Sequence, residues 1–122
     1  MSGGELVGRT GESAILEVMA WVSSDLGADH SLGSMARRAY MSSRSFTRHF
    51  RSVSGSSPYA WLLRQRIARA QDLLADPSLT IESIAERAGF DGSGMLRRHF
   101  QRVVGCSPSE YRARRSGADG QG

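Results

Sequence analysis

The segment RSFTRHFRSVSGSSP, Arg44 to Pro58, returns fifty residues later as GMLRRHFQRVVGCSP, Gly94 to Pro108. Arg48-His49-Phe50, Val53, Gly55 and Ser57-Pro58 reappear as Arg98-His99-Phe100, Val103, Gly105 and Ser107-Pro108. A chain of 122 residues is one domain by size, so a unit carried twice makes it two small subdomains sharing an element. Each half has only a modest core, which excludes a large enclosed active site.

Almost everything between the ends has helical period, and no alternating strand pattern of useful length occurs. The spacing of Ile15, Val18, Met19, Val22 and Leu26 predicts a first helix over about 12–26, ended by Gly27. Ser31 is placed to cap a short second helix to about Ala39, with Leu32, Met35, Ala36 and Ala39 inward. After the tight turn YMSS, a third helix runs over 43–54 and is closed by Gly55. Pro58 opens a longer helix to about Ala75, with Leu63, Ile67, Ala70 and Leu74 inward. The pattern then restarts. Thr80 caps a short helix to about Ala88 with Ile81, Ile84 and Ala85 inward, Gly89-Phe90 turns the chain, a long helix covers 92–104 and is closed by Gly105, and Pro108 opens the last helix. The expected fold is all-α, with seven helices forming two helix-turn-helix subdomains, 12–57 and 77–115, joined by a linker helix over 58–76. Residues 1–11 read as a flexible lead-in or linker, and 116–122 as a disordered tail.

At 100° per residue, Phe46, Phe50 and Val53 gather on one side of the third helix with His49 at their edge, and these are assigned to the core. Arg44, Arg48 and Arg51 fall on the opposite side with Thr47 adjoining. In the second copy the core stripe is Leu96, Phe100 and Val103, and the outward face is Gly94, Arg97, Arg98 and Gln101. The helix that follows the tight turn is the one that enters a DNA major groove, and its outward face is where base-reading side chains must sit. The two faces differ except for one shared Arg, so the copies are expected to read different sequences.

The charge pattern points the same way. The chain has sixteen Arg and no Lys, and between His30 and Gln71 there are eight Arg and no acid. Seven Arg with only Asp91 and Glu110 follow from Arg87 to Arg115, whereas the first thirty residues hold five acids and Arg9 alone. Positive charge confined to the two repeats is the footprint of a polyanion, and Arg binds phosphate and guanine edges bidentately. A helical module whose Arg-rich faces bind an acidic protein is the competing class; single-stranded RNA is a weaker third, since no aromatic lies exposed among the Arg. Other chemistries find no footing. Cys106 is the only cysteine, so no disulfide forms within the chain and a reducing cytoplasm fits. No apolar run approaches the ~20 residues a membrane span needs. His49 and His99 lack metal-ligand spacing, no cofactor motif occurs, and no residues present a catalytic nucleophile.

The stretch IESIAERAGFDGSGMLRRHFQRVVGCSPSEYR, Ile81 to Arg112, resembles the signature of the AraC/XylS family of bacterial transcription regulators. Ile81, Ile84-Ala85, Gly89-Phe90, Leu96, Arg98, Phe100, Gly105, Ser107-Pro108 and Tyr111-Arg112 match in order, and Arg66 begins the linker-helix pattern RIARAQDLL. Leu96 departs from the Phe usual there. The resemblance implies DNA readers at Arg44, Thr47, Arg48, Gly94, Arg97 and Arg98. Phosphate contacts are expected at Arg51 and Arg102, where each helix leaves the groove, at Arg66, Ser93 and Gln101, and at Ser42, Ser43 and Ser45 beside a helix N-terminus, for which turn and capping roles are the alternative. It implies double-stranded promoter DNA as partner, contact with RNA polymerase, and action in the cytoplasm at the bacterial nucleoid. The wording MLRRHF is most similar to a subgroup whose N-terminal domain resembles glutamine amidotransferases, so an effector or dimerisation domain is expected to precede this portion in a longer regulator, the alternative being one of the family's short, stand-alone members.

Overall fold

A computed structural model describes residues 10–121, with side-chain surroundings through residue 117. Among these residues the chain is helical without strands: α1 (Gly11–Ser23), α2 (Leu32–Arg38), α3 (Ser43–Ser54), α4 (Pro58–Leu73), α5 (Ile81–Ala88), α6 (Ser93–Val104) and α7 (Pro108–Gln121). The bounds of α3 and α5 coincide with those expected. The lead-in over residues 1–9 lies outside the described residues.

Hydroxyl side chains set most of the helix starts. Thr10, Ser42 and Thr80 each accept from the backbone N–H three residues on, and Ser31 and Ser34 bond reciprocally in a full capping box. The repeated Ser-Pro has the same cause. Ser57 Oγ accepts from Ala60 N at 3.1 Å and Ser107 Oγ from Glu110 N at 3.1 Å, while each Pro takes the first helical position, where its missing N–H has no partner to lose. In the second copy Glu110 Oε1 also accepts from Ser107 N at 3.0 Å, closing the box. Its two hydrogen bonds to Ser107 hold the Glu110 carboxyl below its ordinary pKa.

The turns inside the two repeats are built alike from different residues. Met41 N donates to Ala36 O at 2.9 Å and Phe90 N to Ala85 O at 2.8 Å, so both short helices end in the same six-residue wrap. The wrap needs a left-handed residue, and the second copy supplies Gly89 at φ 95° where the first supplies Tyr40 at φ 59°. A tyrosine in that region costs about 1–2 kcal/mol relative to right-handed backbone, and Tyr40 is 88 % exposed, which corrects the expectation that no aromatic lies exposed among the Arg.

The chain divides into two compact units. One holds the described residues through Asp25 together with Asp29–Leu62; the other holds Leu26–Ala28 with Leu63 onward. In the first, Phe46 and Phe50 are fully buried with Ile15, Val18, Val22 and Met35, and Phe50 meets Trp61 edge-on at 5.5 Å. His49 packs on the start of α1, where a Cβ on Gly11 would press its ring. In the second, Leu96 and Phe100 join Ile67, Ala70, Leu74, Ile84, Ala85 and Ala88, with Tyr111 edge-on to Phe100 at 5.5 Å. Arg112 crosses this unit to donate to the carbonyls of Leu74, Asp76 and Leu79.

Several sequence expectations are corrected. Val103 is 43 % exposed, because α6 in its last turn outruns the cluster and Val104 packs there instead. Leu32, expected inward, is 41 % exposed at the first position of α2. α1 stops at Ser23, three residues early, when the Ser24 and Asp25 amides turn back to the carbonyls of Ala20 and Val22. Over the residues expected as a tail from Ser116, α7 continues to Gln121.

Candidate nucleic-acid interface

Each recognition helix is oriented by what it buries. With Phe46 and Phe50 fully buried, the opposite face of α3 must point outward, and Arg44, Arg48 and Arg51 are all exposed. None of the three donates to another group among the described residues. On α6, burial of Leu96 and Phe100 turns out Gly94, Arg97, Arg98, Gln101 and Arg102. Arg97 reaches back along its own helix to Ser93 Oγ at 3.3 Å, while Arg98 and Arg102 have no acceptor among the described residues. Open space surrounds Gly94, so its missing side chain serves no packing need.

Several arginines elsewhere are engaged: Arg112 binds three carbonyls, Arg38 lies over the Trp21 ring at 4.6 Å, Arg115 donates to Tyr111 Oη at 3.0 Å, and Arg87 donates to Ser83 Oγ at 3.2 Å. Arg44, Arg48, Arg51, Arg98 and Arg102 face outward and open to an external anion, as do Arg37 and Arg69 outside the two recognition helices. Five donors in a planar fork are then available at each.

The expected phosphate set divides. Ser42 is the cap of α3 through Ser45 N, and Ser43 is exposed beside it at the helix N-terminus. Ser45 and Ser93 are half-buried. Arg66 is engaged within the protein: its Nε donates to Leu26 O at 3.1 Å and its terminal nitrogen to Ala28 O at 2.8 Å, in a half-buried position. Sequence pattern alone cannot tell such an arginine from an outward one, because its acceptors lie about forty residues away. Thr47 is also half-buried, lining a cleft of about 280 Å³ with Leu32, Met35, Pro58, Tyr59 and Leu62.

His99 is buried, 6 % exposed and stacked on Phe90 at 6.0 Å. Its Nδ1 is buried without a hydrogen-bond partner. Burial first, then the nearby Arg102 and Arg98 guanidiniums, hold its pKa below the ordinary 6.5. No group of three or more His, Cys, Asp or Glu side chains placed to hold a metal occurs among the described residues.

A family profile described as a helix-turn-helix domain matches residues 35–114. A helix-turn-helix-type transcriptional regulator of Mycobacterium tuberculosis is 41 % identical over 86 residues, covering 70 % of this chain and 33 % of that protein. The arabinose operon regulatory protein of Salmonella typhimurium is 30 % identical over 103 residues, covering 84 % and 37 %. The chain belongs to the AraC-type helix-turn-helix family, the DNA-binding domains of transcription regulators. Its fold superimposes on the DNA-binding domain of the global transcriptional factor AdpA, solved in complex with a target DNA, with a TM-score of 0.84, 42 % identity, and coverage of 88 % of this chain and 97 % of that one. The domain spans about a third of the length of the curated relatives it matches. None of its described helices is long and apolar enough to cross a membrane.

Proposed function

We propose that this domain binds double-stranded promoter DNA by sequence, its two recognition helices α3 and α6 occupying successive major grooves. The observation that carries the reading is the outward arginine face of each helix, set opposite a fully buried aromatic, with Arg97 alone bonded among the described residues, to Ser93 of its own helix. Arg44 and Arg48 in one copy, and Arg97 and Arg98 in the other, are the base readers, because they lie in the first turns, where a recognition helix meets base edges. Thr47 contributes from the margin of its cleft, and Gly94 leaves one reading position empty, so the half-site of α6 is the more degenerate. Arg51, Gln101 and Arg102, with Ser42, Ser43, Ser45 and Ser93 near the helix starts, hold phosphates. Residues 12–57 and 77–115 act as the two helix-turn-helix subdomains, and 58–76 links them.

In the longer protein we place this domain behind an N-terminal domain resembling glutamine amidotransferases, which would receive the effector, and we assign RNA polymerase as the second partner at promoters in the bacterial nucleoid. The wording of α6 supports the first assignment and the regulatory relatives support the second.

Gel shifts on a selected duplex and its scrambled version, repeated across salt, test the reading. Roughly 6 to 10 neutralised phosphates give a slope of log K against log salt of about −5 to −9, with clear preference for the selected sequence. Equal affinity for both duplexes, or a slope shallower than about −2, would replace it with a protein-interaction module.

A further inference from the structure

We propose that Arg66 is a positioning residue for the second recognition helix: with the strap Leu26–Ala28 it forms a seat that fixes the α5–α6 turn at Gly89, and hence where α6 begins. This rests on the reading of α6 as a base-reading helix.

The strap comes from the sequence between α1 and α2, yet it groups with the second unit. Two of its carbonyls, Leu26 O and Ala28 O, accept from the Arg66 guanidinium at 3.1 and 2.8 Å. Its middle residue, Gly27, lies so close to the last turn of α5 that a Cβ there would stand 2.9 Å from Arg87 O. On the other side of the seat, any side chain on Gly89 would collide with Leu26 O and the Arg66 guanidinium. So Gly89 meets two demands at once, a φ of 95° and contact of bare backbone with the seat. Its counterpart in the first repeat meets only the first demand, since Tyr40 sits at φ 59° with its side chain in solvent.

The start of α6 needs this brace. α3 is fixed at its N-terminus by the Ser42 hydroxyl, whereas α6 begins after Gly92, which makes no side-chain cap bond. Three residues separate Gly89 from Ser93, so a turn held at Gly89 sets the register and direction in which Arg97 and Arg98 leave the surface. Arg suits the seat because its planar fork donates to two carbonyls at fixed angles; Lys, a single flexible ammonium, does not.

Two variants in the 122-residue chain, Arg66→Ala and Gly89→Ala, test this, with Arg66→Lys as control. Amide hydrogen exchange without DNA should show protection from Gly89 to Arg97 falling by about tenfold or more in both alanine variants and in Arg66→Lys, with α3 unchanged. In binding-site selection the alanine variants should lose preference at the base pairs that Arg98→Ala relaxes, keep it at those that Arg48→Ala relaxes, and leave the salt slope unaltered. If Arg66 were instead a phosphate contact, Arg66→Ala would weaken all duplexes alike and make the slope shallower by about 0.9. That result, or unchanged exchange over Gly89 to Arg97, overturns the proposal, as does full rescue by Arg66→Lys. Absence of sequence preference in the unaltered chain would sink the DNA-reading function but leave the exchange arm able to judge the seat.

Discussion

Replacing Phe100 by alanine should unfold one unit while sparing the other. Phe100 is fully buried, meets Tyr111 edge-on, and sits in a cluster with Ile67, Ile84 and Leu96. Truncation of such a ring costs about 3–5 kcal/mol. A unit of roughly 60 residues has about 3–9 kcal/mol of stability to lose, so most of it goes. Both tryptophans, Trp21 and Trp61, lie in the other unit. In urea titrations of Phe100→Ala the helical circular dichroism should therefore show an early transition, with the tryptophan fluorescence midpoint nearly unmoved. Phe50→Ala should do the reverse, since Phe50 stands 5.5 Å from Trp61. If both probes shift together in Phe100→Ala, the two units unfold as one and the stability assigned to each is wrong. If the variant keeps its helicity and midpoint yet loses DNA binding, the aromatic stripe is a contact face and the orientation of α6 is inverted.

Acid should act in two windows. Because the His99 pKa is lowered in the fold, the stability tied to its neutral form is present above the unfolded value of 6.5 and is lost as pH falls from there toward the folded value. Urea midpoints of the second unit should decline over that range, and His99→Leu should flatten the decline. Asp76, its pKa lowered chiefly by bonds from Ser78, and Glu110, by bonds from Ser107, add a second loss as pH drops through their ordinary values of 3.8 and 4.5. Tyr40→Gly should raise the fluorescence midpoint slightly: relief of about 1–2 kcal/mol of left-handed strain is offset by the roughly 0.5–1 kcal/mol entropy cost of glycine. A lowered midpoint would show that the tyrosine ring contributes packing. Ser107→Ala should cost about 1 kcal/mol through loss of the α7 cap, read as a lower helical midpoint.

The repeat made most of this fold legible. Hydroxyl, glycine and proline signals lie within a few residues of the backbone groups they satisfy, which is why the bounds of α3 and α5 follow from sequence. The outward arginines were also readable, since 100° periodicity against a Phe stripe needs no tertiary knowledge. What the sequence left hidden depended on distance. Arg66 and Arg112 find their acceptors more than thirty residues away, so a sequence pattern cannot distinguish a guanidinium seated on carbonyls from one in solvent. Val103 failed for a related reason, because periodicity extends a stripe to the helix end while the core stops where its partners stop. Aligning Tyr40 with Gly89 would have exposed the left-handed position in the first repeat, and the doubled constraint on Gly89 only the packed strap could show.

If α3 and α6 each read bases with their outward arginines, removing one arginine from either helix should blur its own part of the bound sequence. Binding-site selection from a random duplex library, run on the unaltered chain and on Arg48→Ala and Arg98→Ala, decides this. A two-part motif with centres about 10 base pairs apart is expected, each variant relaxing one or two positions in a different part at a cost of about 1–3 kcal/mol on the preferred site. An unchanged motif from Arg48→Ala, with affinity lowered equally for every duplex, would make that residue a phosphate contact and contradict the reading face at its centre.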